Sequence, residues 1–104
     1  MTPSTRSGEP ESTPDGRHLV IDGRRWRATD PAIPAGRREE LTRNLMAWRR
    51  EVGRTRGTDA EAGARSGVHA AKVALGERGT AWWEQSDDER RKRWSVVLDA
   101  PHQH

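Results

Sequence analysis

The sequence predicts a small α+β domain in which an N-terminal β-hairpin packs on two or three α-helices. Three observations favour this class. A β-prone stretch turns at Asp22-Gly23, later segments show helical spacing or helix-capping patterns, and 104 residues suffice for one domain. We expect the domain to span residues 17–99, after a disordered tail at 1–16 and before a short C-terminal tail at 100–104.

The hairpin is predicted by its turn. Asp22-Gly23 lies between two short β-prone runs, and a type I′ turn needs positive φ at both central residues, which Asp-Gly provides. Pairing outward from the turn places Leu19 opposite Trp26 and His18 opposite Arg27. A two-residue turn therefore fixes the register of both strands.

The two faces of this hairpin are expected to differ, because strand side chains alternate. Trp26 shares a face with Leu19 and Ile21, so we expect it in the core. Arg25 and Arg27 lie on the opposite face. A base-stacking platform would need the indole and the arginines on one exposed face, so this separation disfavours a nucleic-acid ligand.

The first helix is expected over residues 34–52, with Pro34 at its first position and Gly53 at its end. Its apolar residues recur on one helical face. These residues are Leu41, Leu45, Trp48 and Val52.

The second helix is expected to begin at Thr58, whose spacing to Glu61 is that of a capping box. It runs to Leu75, with Gly76 as a left-handed cap. Its packing face consists mainly of alanine and glycine, which permits close approach to another helix.

The third helix follows a second capping box, from Ser86 to Glu89, and is expected to run to about residue 98. The basic run at 90–93 is expected to be solvated, with its last three residues each paired with an acid four positions before it. The residues expected to be buried are Trp94, Val97 and Leu98.

Tryptophan supplies much of the expected core. The chain has five Trp but no Phe or Tyr. Because an indole buries a large area and its N–H needs a partner, we expect a marginal domain that dimerisation would stabilise. The tryptophans are Trp26, Trp48, Trp82, Trp83 and Trp94.

Several functional classes are disfavoured by what the sequence lacks. The absence of cysteine excludes disulfides, cysteine-based zinc sites and a thiol nucleophile. No apolar run approaches the roughly 20 residues of a membrane span, and no signal-peptide core is present. No histidine–carboxylate–hydroxyl grouping or HExxH motif occurs. We therefore expect a cytoplasmic protein that is not an enzyme and that has no cofactor, metal or small-molecule substrate.

The charge is weakly basic and unevenly distributed. The formal net charge is +3, and residues 17–57 carry most of the positive excess. Nearly all of the positive charge comes from arginine. A GC-rich genome also produces a high arginine content. Composition alone therefore does not indicate a nucleic-acid ligand.

Two surfaces are candidate functional sites. Trp82 and Trp83 are adjacent, so one is expected to enter the core and the other to mark a partner surface. The leading hypothesis is a small interaction protein that binds a protein partner or forms a homodimer through them. The alternative is nucleic-acid binding through the hairpin and first helix. Its phosphate-binding residues would be Arg25, Arg27, Arg49 and Arg50.

Two stretches of the chain resemble a group of small uncharacterised proteins of GC-rich bacteria. They are VIDGRRWRATDPAIP, at 20–34, and HAAKVALGERGTAWWEQ, at 69–85. Members of this group sometimes carry the label of a Tol-type biopolymer transporter, although the sequence shows no propeller repeat. The resemblance implies a shared small fold and assigns no activity.

Overall fold

The structure is a computed structural model that describes residues 11–101. It confirms the α+β class, with an antiparallel sheet preceding three helices. The parts of the expected tails at 1–10 and 102–104 lie outside the described residues. The elements are β1 (Glu11–Ser12), β2 (His18–Ile21), β3 (Arg24–Arg27), α1 (Ala35–Thr55), α2 (Glu61–Ala74), a 3-10 helix (Trp82–Glu84) and α3 (Asp87–Trp94).

Strands β2 and β3 form the predicted hairpin. Asp22 and Gly23 both have positive φ, at 52° and 75°. The register pairs Leu19 with Trp26 and His18 with Arg27, as expected. The turn residues therefore determine the pairing along the whole hairpin.

A third strand, β1, extends the sheet into the segment that was expected to be a tail. It pairs antiparallel with β2, so that Ser12 lies opposite Leu19. The Thr13 side chain holds the connection, since its Oγ1 donates to Asp15 Oδ1 at 2.6 Å and accepts from the His18 amide at 3.1 Å. Within the described residues, the sheet thus includes Glu11 and Ser12, which lie before the expected domain boundary at residue 17.

Helices α1 and α2 pack side by side. The short second helix comes close because Gly67 faces the Trp48 indole, where an added Cβ would lie 2.1 Å from Trp48 Cδ2. Helix α1 continues two residues beyond Gly53, to Thr55. The buried core between the elements consists of Ile33, Leu41, Leu45, Ala71, Ala74 and Leu75, with Val68, Trp94 and Leu98 packed against it.

The ends of α2 differ in how well they follow the sequence pattern. The Glu61 carboxylate accepts from the Gly57 amide at 3.0 Å and not from Thr58, so the expected capping box is replaced by a turn and the helix begins at Glu61. At the other end, Gly76 has φ 83°, and the Glu77 amide donates to the Lys72 carbonyl at 2.9 Å. This is the left-handed cap that the sequence predicted.

Helix α3 has its predicted cap but is shorter than expected. Ser86 and Glu89 form a reciprocal capping box. The helix ends at Trp94, and Val97, which was expected to be buried, is 97% exposed. The cause lies in α1, because Arg37 Nε donates to the Trp94 carbonyl at 2.6 Å and holds the chain in an irregular path.

Candidate functional site

The two adjacent tryptophans have different environments. They lie in a 3-10 helix rather than in an extended segment. Trp82 is 8% exposed, and its Nε1 donates to the Ala28 carbonyl at 2.9 Å. Trp83 is half-buried, with the Arg17 guanidinium 4.8 Å from its ring centroid and the His18 ring at 5.6 Å. Of the pair proposed as a partner surface, Trp82 therefore belongs to the core and only Trp83 reaches the surface.

The most buried polar group is the Asp30 carboxylate, which is 0% exposed. Arg90 binds both of its oxygens, with Nε 2.9 Å from Oδ2. Arg93 Nη2 donates to Oδ2 at 2.5 Å, and the Ala32 amide donates to Oδ1 at 2.9 Å. The expected solvation of the basic run at 90–93 is therefore wrong for Arg90 and Arg93, because the carboxylate draws them inward.

Burial alone would raise the pKa of Asp30, since it removes the carboxylate from water. Hydrogen bonds from Arg90, Arg93 and the Ala32 amide outweigh that effect and lower the pKa to about 2. The other donors of Arg93 reach the Ala74 carbonyl at 3.2 Å and Gln85 Oε1 at 2.5 Å. The cluster is internally satisfied, so we assign it to structure rather than to ligand binding.

The hairpin departs from the prediction in the position of Trp26, which is 39% exposed rather than buried. The sheet makes little direct contact with the three α-helices along its length. It is attached at its base, where Arg27 Nη1 donates to the Gly79 carbonyl at 2.8 Å and the Asp30 amide donates to the Leu75 carbonyl at 3.0 Å. A groove therefore remains between the apolar face of the hairpin and the helices.

This groove has a volume of about 310 Å³ and a mixed aromatic and cationic lining. We call it the basic groove. It is lined by Leu19, Ile21, Trp26, Arg27, Arg49, Lys72, Glu77 and Arg78.

A second recess, of about 420 Å³, adjoins the basic groove and shares Arg49 and Arg78 with it. We call it the helix recess. It is lined by Arg49, Val52, Arg56, Arg65, Val68 and Arg78. Among residues 11–101, six cationic side chains and one carboxylate line the two cavities together, so this surface is strongly positive.

Two cations lie against the Trp26 indole. The Arg24 guanidinium lies 4.5 Å from the ring centroid, and Lys72 Nζ lies at 5.6 Å. Glu77 is the one carboxylate that the described part of the chain contributes to the lining, and Thr29 Oγ1 donates to its Oε2 at 2.7 Å. Its Oε1 lies 3.7 Å from Lys72 Nζ, so it offsets only part of the positive charge.

The pKa of Lys72 is lowered from its ordinary value, mainly because its environment is partly buried. Burial of the ammonium is the largest cause, and repulsion by Arg49 and Arg78 acts in the same direction. The attraction of Glu77 opposes the shift but does not cancel it. An anion in the basic groove would relieve this repulsion.

The arginines proposed for phosphate binding are divided by the structure. Arg27 and Arg49 line the basic groove. Arg25 and Arg50 are exposed and line neither the groove nor the recess. The cations around the groove and recess that the sequence analysis did not single out are Arg24, Arg56, Arg65, Lys72 and Arg78.

Comparison with known proteins adds no relative. No family model, curated protein or solved structure matches the chain. Between residues 11 and 101, no three histidine, aspartate or glutamate side chains are grouped so that they could hold a metal ion. No helix in that part of the chain has the length and apolar character needed to span a membrane.

Proposed function

We propose that the protein binds nucleic acid through the basic groove and the helix recess. The observation that carries this proposal is the exposure of Trp26 inside a groove lined by Arg27, Arg49, Lys72 and Arg78. The sequence favoured an interaction protein because it placed the indole in the core, away from the arginines. In the folded chain the indole is exposed beside cations of the groove, which is the arrangement that a base-stacking platform needs.

Several of the cations are available for phosphate. Arg49, Arg56 and Arg78 form no ion pair with any residue between 11 and 101. An unpaired guanidinium can bind a phosphate through two parallel hydrogen bonds without first losing a carboxylate partner. These arginines therefore supply affinity that does not depend on base sequence.

The indole favours nucleic acid over an acidic polypeptide as the anionic partner. An acidic peptide would satisfy the arginines but has no flat π-face to place against Trp26. A nucleobase supplies such a face, and base–aromatic stacking is a common partner of phosphate contacts. This function fits a cytoplasmic location, where both RNA and DNA are present.

The first experiment measures binding of mixed-sequence DNA and RNA by fluorescence anisotropy at several salt concentrations. Release of counterions predicts that log affinity falls by about 3 per unit of log salt for about four phosphate contacts. The double variant Arg49→Ala/Arg78→Ala should weaken binding at least about tenfold and reduce this slope.

The matched control is Arg25→Ala/Arg50→Ala, which removes the same charge from arginines outside both cavities. It should reduce affinity much less than Arg49→Ala/Arg78→Ala. Equal losses for the two double variants would show that net charge, and not the groove, determines binding. Absence of binding at low salt would refute the proposal.

A protein partner or a homodimer is the second candidate function, and Trp83 supports it. A half-buried tryptophan beneath an exposed arginine is typical of an interface anchor. Sedimentation velocity over a range of concentrations tests the homodimer directly. A mass that stays monomeric in both wild type and Trp83→Ala would remove self-association as the role of this residue.

A further inference from the structure

The form of nucleic acid can be specified further, on the basis of the proposed function. We infer that the basic groove takes single-stranded nucleic acid, with one unpaired base stacked on Trp26 and the adjacent phosphates bound by Arg49 and Arg78. The strand continues into the helix recess. This inference can fail while nucleic-acid binding itself holds.

The position of Trp26 selects against a duplex. In a duplex, each base is stacked between its neighbours, and the outer surface presents phosphates, sugars and base edges. The indole lines a groove together with Leu19 and Ile21 instead of projecting as a wedge. A base can use this ring only if it leaves its own stack and enters the groove, which a single strand allows without loss of pairing.

The size of the groove fits a small unit of the strand. Its volume of about 310 Å³ lies at the lower end of the range for cavities that hold small ligands. The apolar side chains on the hairpin face provide contact for the flat base, while the cations lie around it. A cavity of this size accommodates one base with its sugar and is too small to admit a double helix.

A base can replace the Arg24 guanidinium on the face of the Trp26 ring. The Arg24 side chain is exposed and lies over the Trp26 ring at 4.5 Å. A cation–π pair on the surface is weaker than a base–indole stack, so a base can take the place of the guanidinium. Displaced from the ring, Arg24 remains close enough to stack on the base or to bind its phosphate.

Arg49 and Arg78 define the path of the strand, because they line both the basic groove and the helix recess. A backbone that leaves the groove toward the recess must pass these two guanidinium groups. Beyond them, Val52 and Val68 provide apolar contact, and Arg56 provides another cation without an ion-pair partner among the described residues. The recess thus accepts the next part of the strand.

The test compares a 15-nucleotide single strand with the duplex of the same sequence, using wild type, Trp26→Ala and Trp26→Phe. We expect wild type to prefer the single strand. Trp26→Ala should weaken single-strand binding by about tenfold or more, because the stack is lost, and leave the salt slope unchanged, because the phosphate contacts remain. Trp26→Phe should restore most of the affinity, which separates stacking from any effect on folding.

Trp83→Ala is the matched control, since it removes an indole outside the groove, and it should bind as wild type does. A duplex bound as tightly as the single strand, or Trp26→Ala binding unchanged, would overturn this inference and leave the proposed function standing. Failure to bind either probe at low salt would overturn both this inference and the proposed function. Equal binding of polyglutamate would show that the groove selects negative charge alone, and that result would also overturn this inference.

Discussion

Asp30 and Arg90 lie 60 residues apart in the sequence, yet they form a two-point ion pair around a carboxylate that has no contact with solvent. Arg93, from the next turn of α3, binds the same carboxylate at 2.5 Å. One acidic side chain thus fixes α3 to the segment between the sheet and α1. Breaking such a pair leaves a buried charge without its partner, so its removal has large effects on stability.

The first prediction concerns this cluster. Asp30→Asn keeps the shape of the side chain but removes the charge that two arginines surround. We expect it to lower the free energy of unfolding by about 3 kcal/mol, because the buried Arg93 and the partly buried Arg90 are left without a carboxylate. Urea denaturation followed by circular dichroism measures the loss.

Asp88→Asn is the charge-matched control for this prediction. Asp88 is paired with Arg91 on the surface at 2.6 Å, and such pairs contribute little. Its loss should be much smaller than that of Asp30→Asn. Similar losses for the two variants would contradict the structural importance assigned to the buried pair.

The second prediction is a dependence of stability on acid pH. The pKa of Asp30 is about 2 in the folded chain and 3.8 as the ordinary value, so the unfolded state takes up its proton first. The corresponding stability, about 2 kcal/mol, is present above about pH 4 and is lost as the pH falls towards 2. Free energies of unfolding measured from pH 6 to 2 should therefore converge for wild type and Asp30→Asn. A constant difference over that range would show that Asp30 does not titrate in this way.

The third prediction compares two glycines of α2. At Gly63 nothing lies within 4 Å of an added Cβ, so Gly63→Ala should stabilise the helix by up to about 1 kcal/mol. At Gly67 the same methyl group would overlap the Trp48 indole, whose Nε1 donates to the Asp99 carbonyl at 3.0 Å. Gly67→Ala should therefore destabilise the protein by about 2 kcal/mol despite its better helix propensity. Thermal unfolding measures both, and equal shifts would refute the close approach of the helices.

The fourth prediction separates the adjacent tryptophans. Trp82→Ala should lower the free energy of unfolding by about 3 kcal/mol or more, because it empties a buried site and leaves the Ala28 carbonyl without its donor. Trp83→Ala should cost less, since that ring is already half-exposed. Denaturant midpoints rank the two, and the reverse order would contradict their assigned burial.

Local signals predicted the parts of the fold that local geometry decides. The Asp22-Gly23 turn sets the hairpin register, and the spacing of Ser86 and Glu89 marks the start of α3. In both cases a few neighbouring residues contain the whole physical cause. These features were therefore predictable without knowledge of the rest of the chain.

The predictions of burial and of helix length were wrong where residues far apart in the sequence contact each other. Arg93 is buried because Asp30, 63 positions away, attracts it, and α3 stops at Trp94 because Arg37 of α1 binds its carbonyl. Alternation correctly grouped Trp26 with Leu19, but it could not show whether that face closes on the helices. Such contacts are absent from any short window of sequence.

Part of the basic surface was readable in the sequence. A valine in α1 and another in α2 each have a cation three positions before and four positions after them, which is the spacing of one helical face. All three residues lie within the helix in α2, whereas in α1 the last cation is the residue that follows the helix. Joining the two faces requires knowing how the helices pair, and the contribution of the hairpin and the 76–79 loop requires the tertiary structure. The two triplets are Arg49, Val52, Arg56 and Arg65, Val68, Lys72.

The distance along the chain between Asp30 and its two arginines has a consequence for synthesis. On the ribosome, Asp30 is made 60 residues before Arg90 and 63 before Arg93. Until translation passes both, enclosing that anion would cost several kcal/mol with no counter-ion to offset it. The nascent polypeptide therefore keeps this segment hydrated, and the domain completes its assembly in one late step rather than gradually from its first residues.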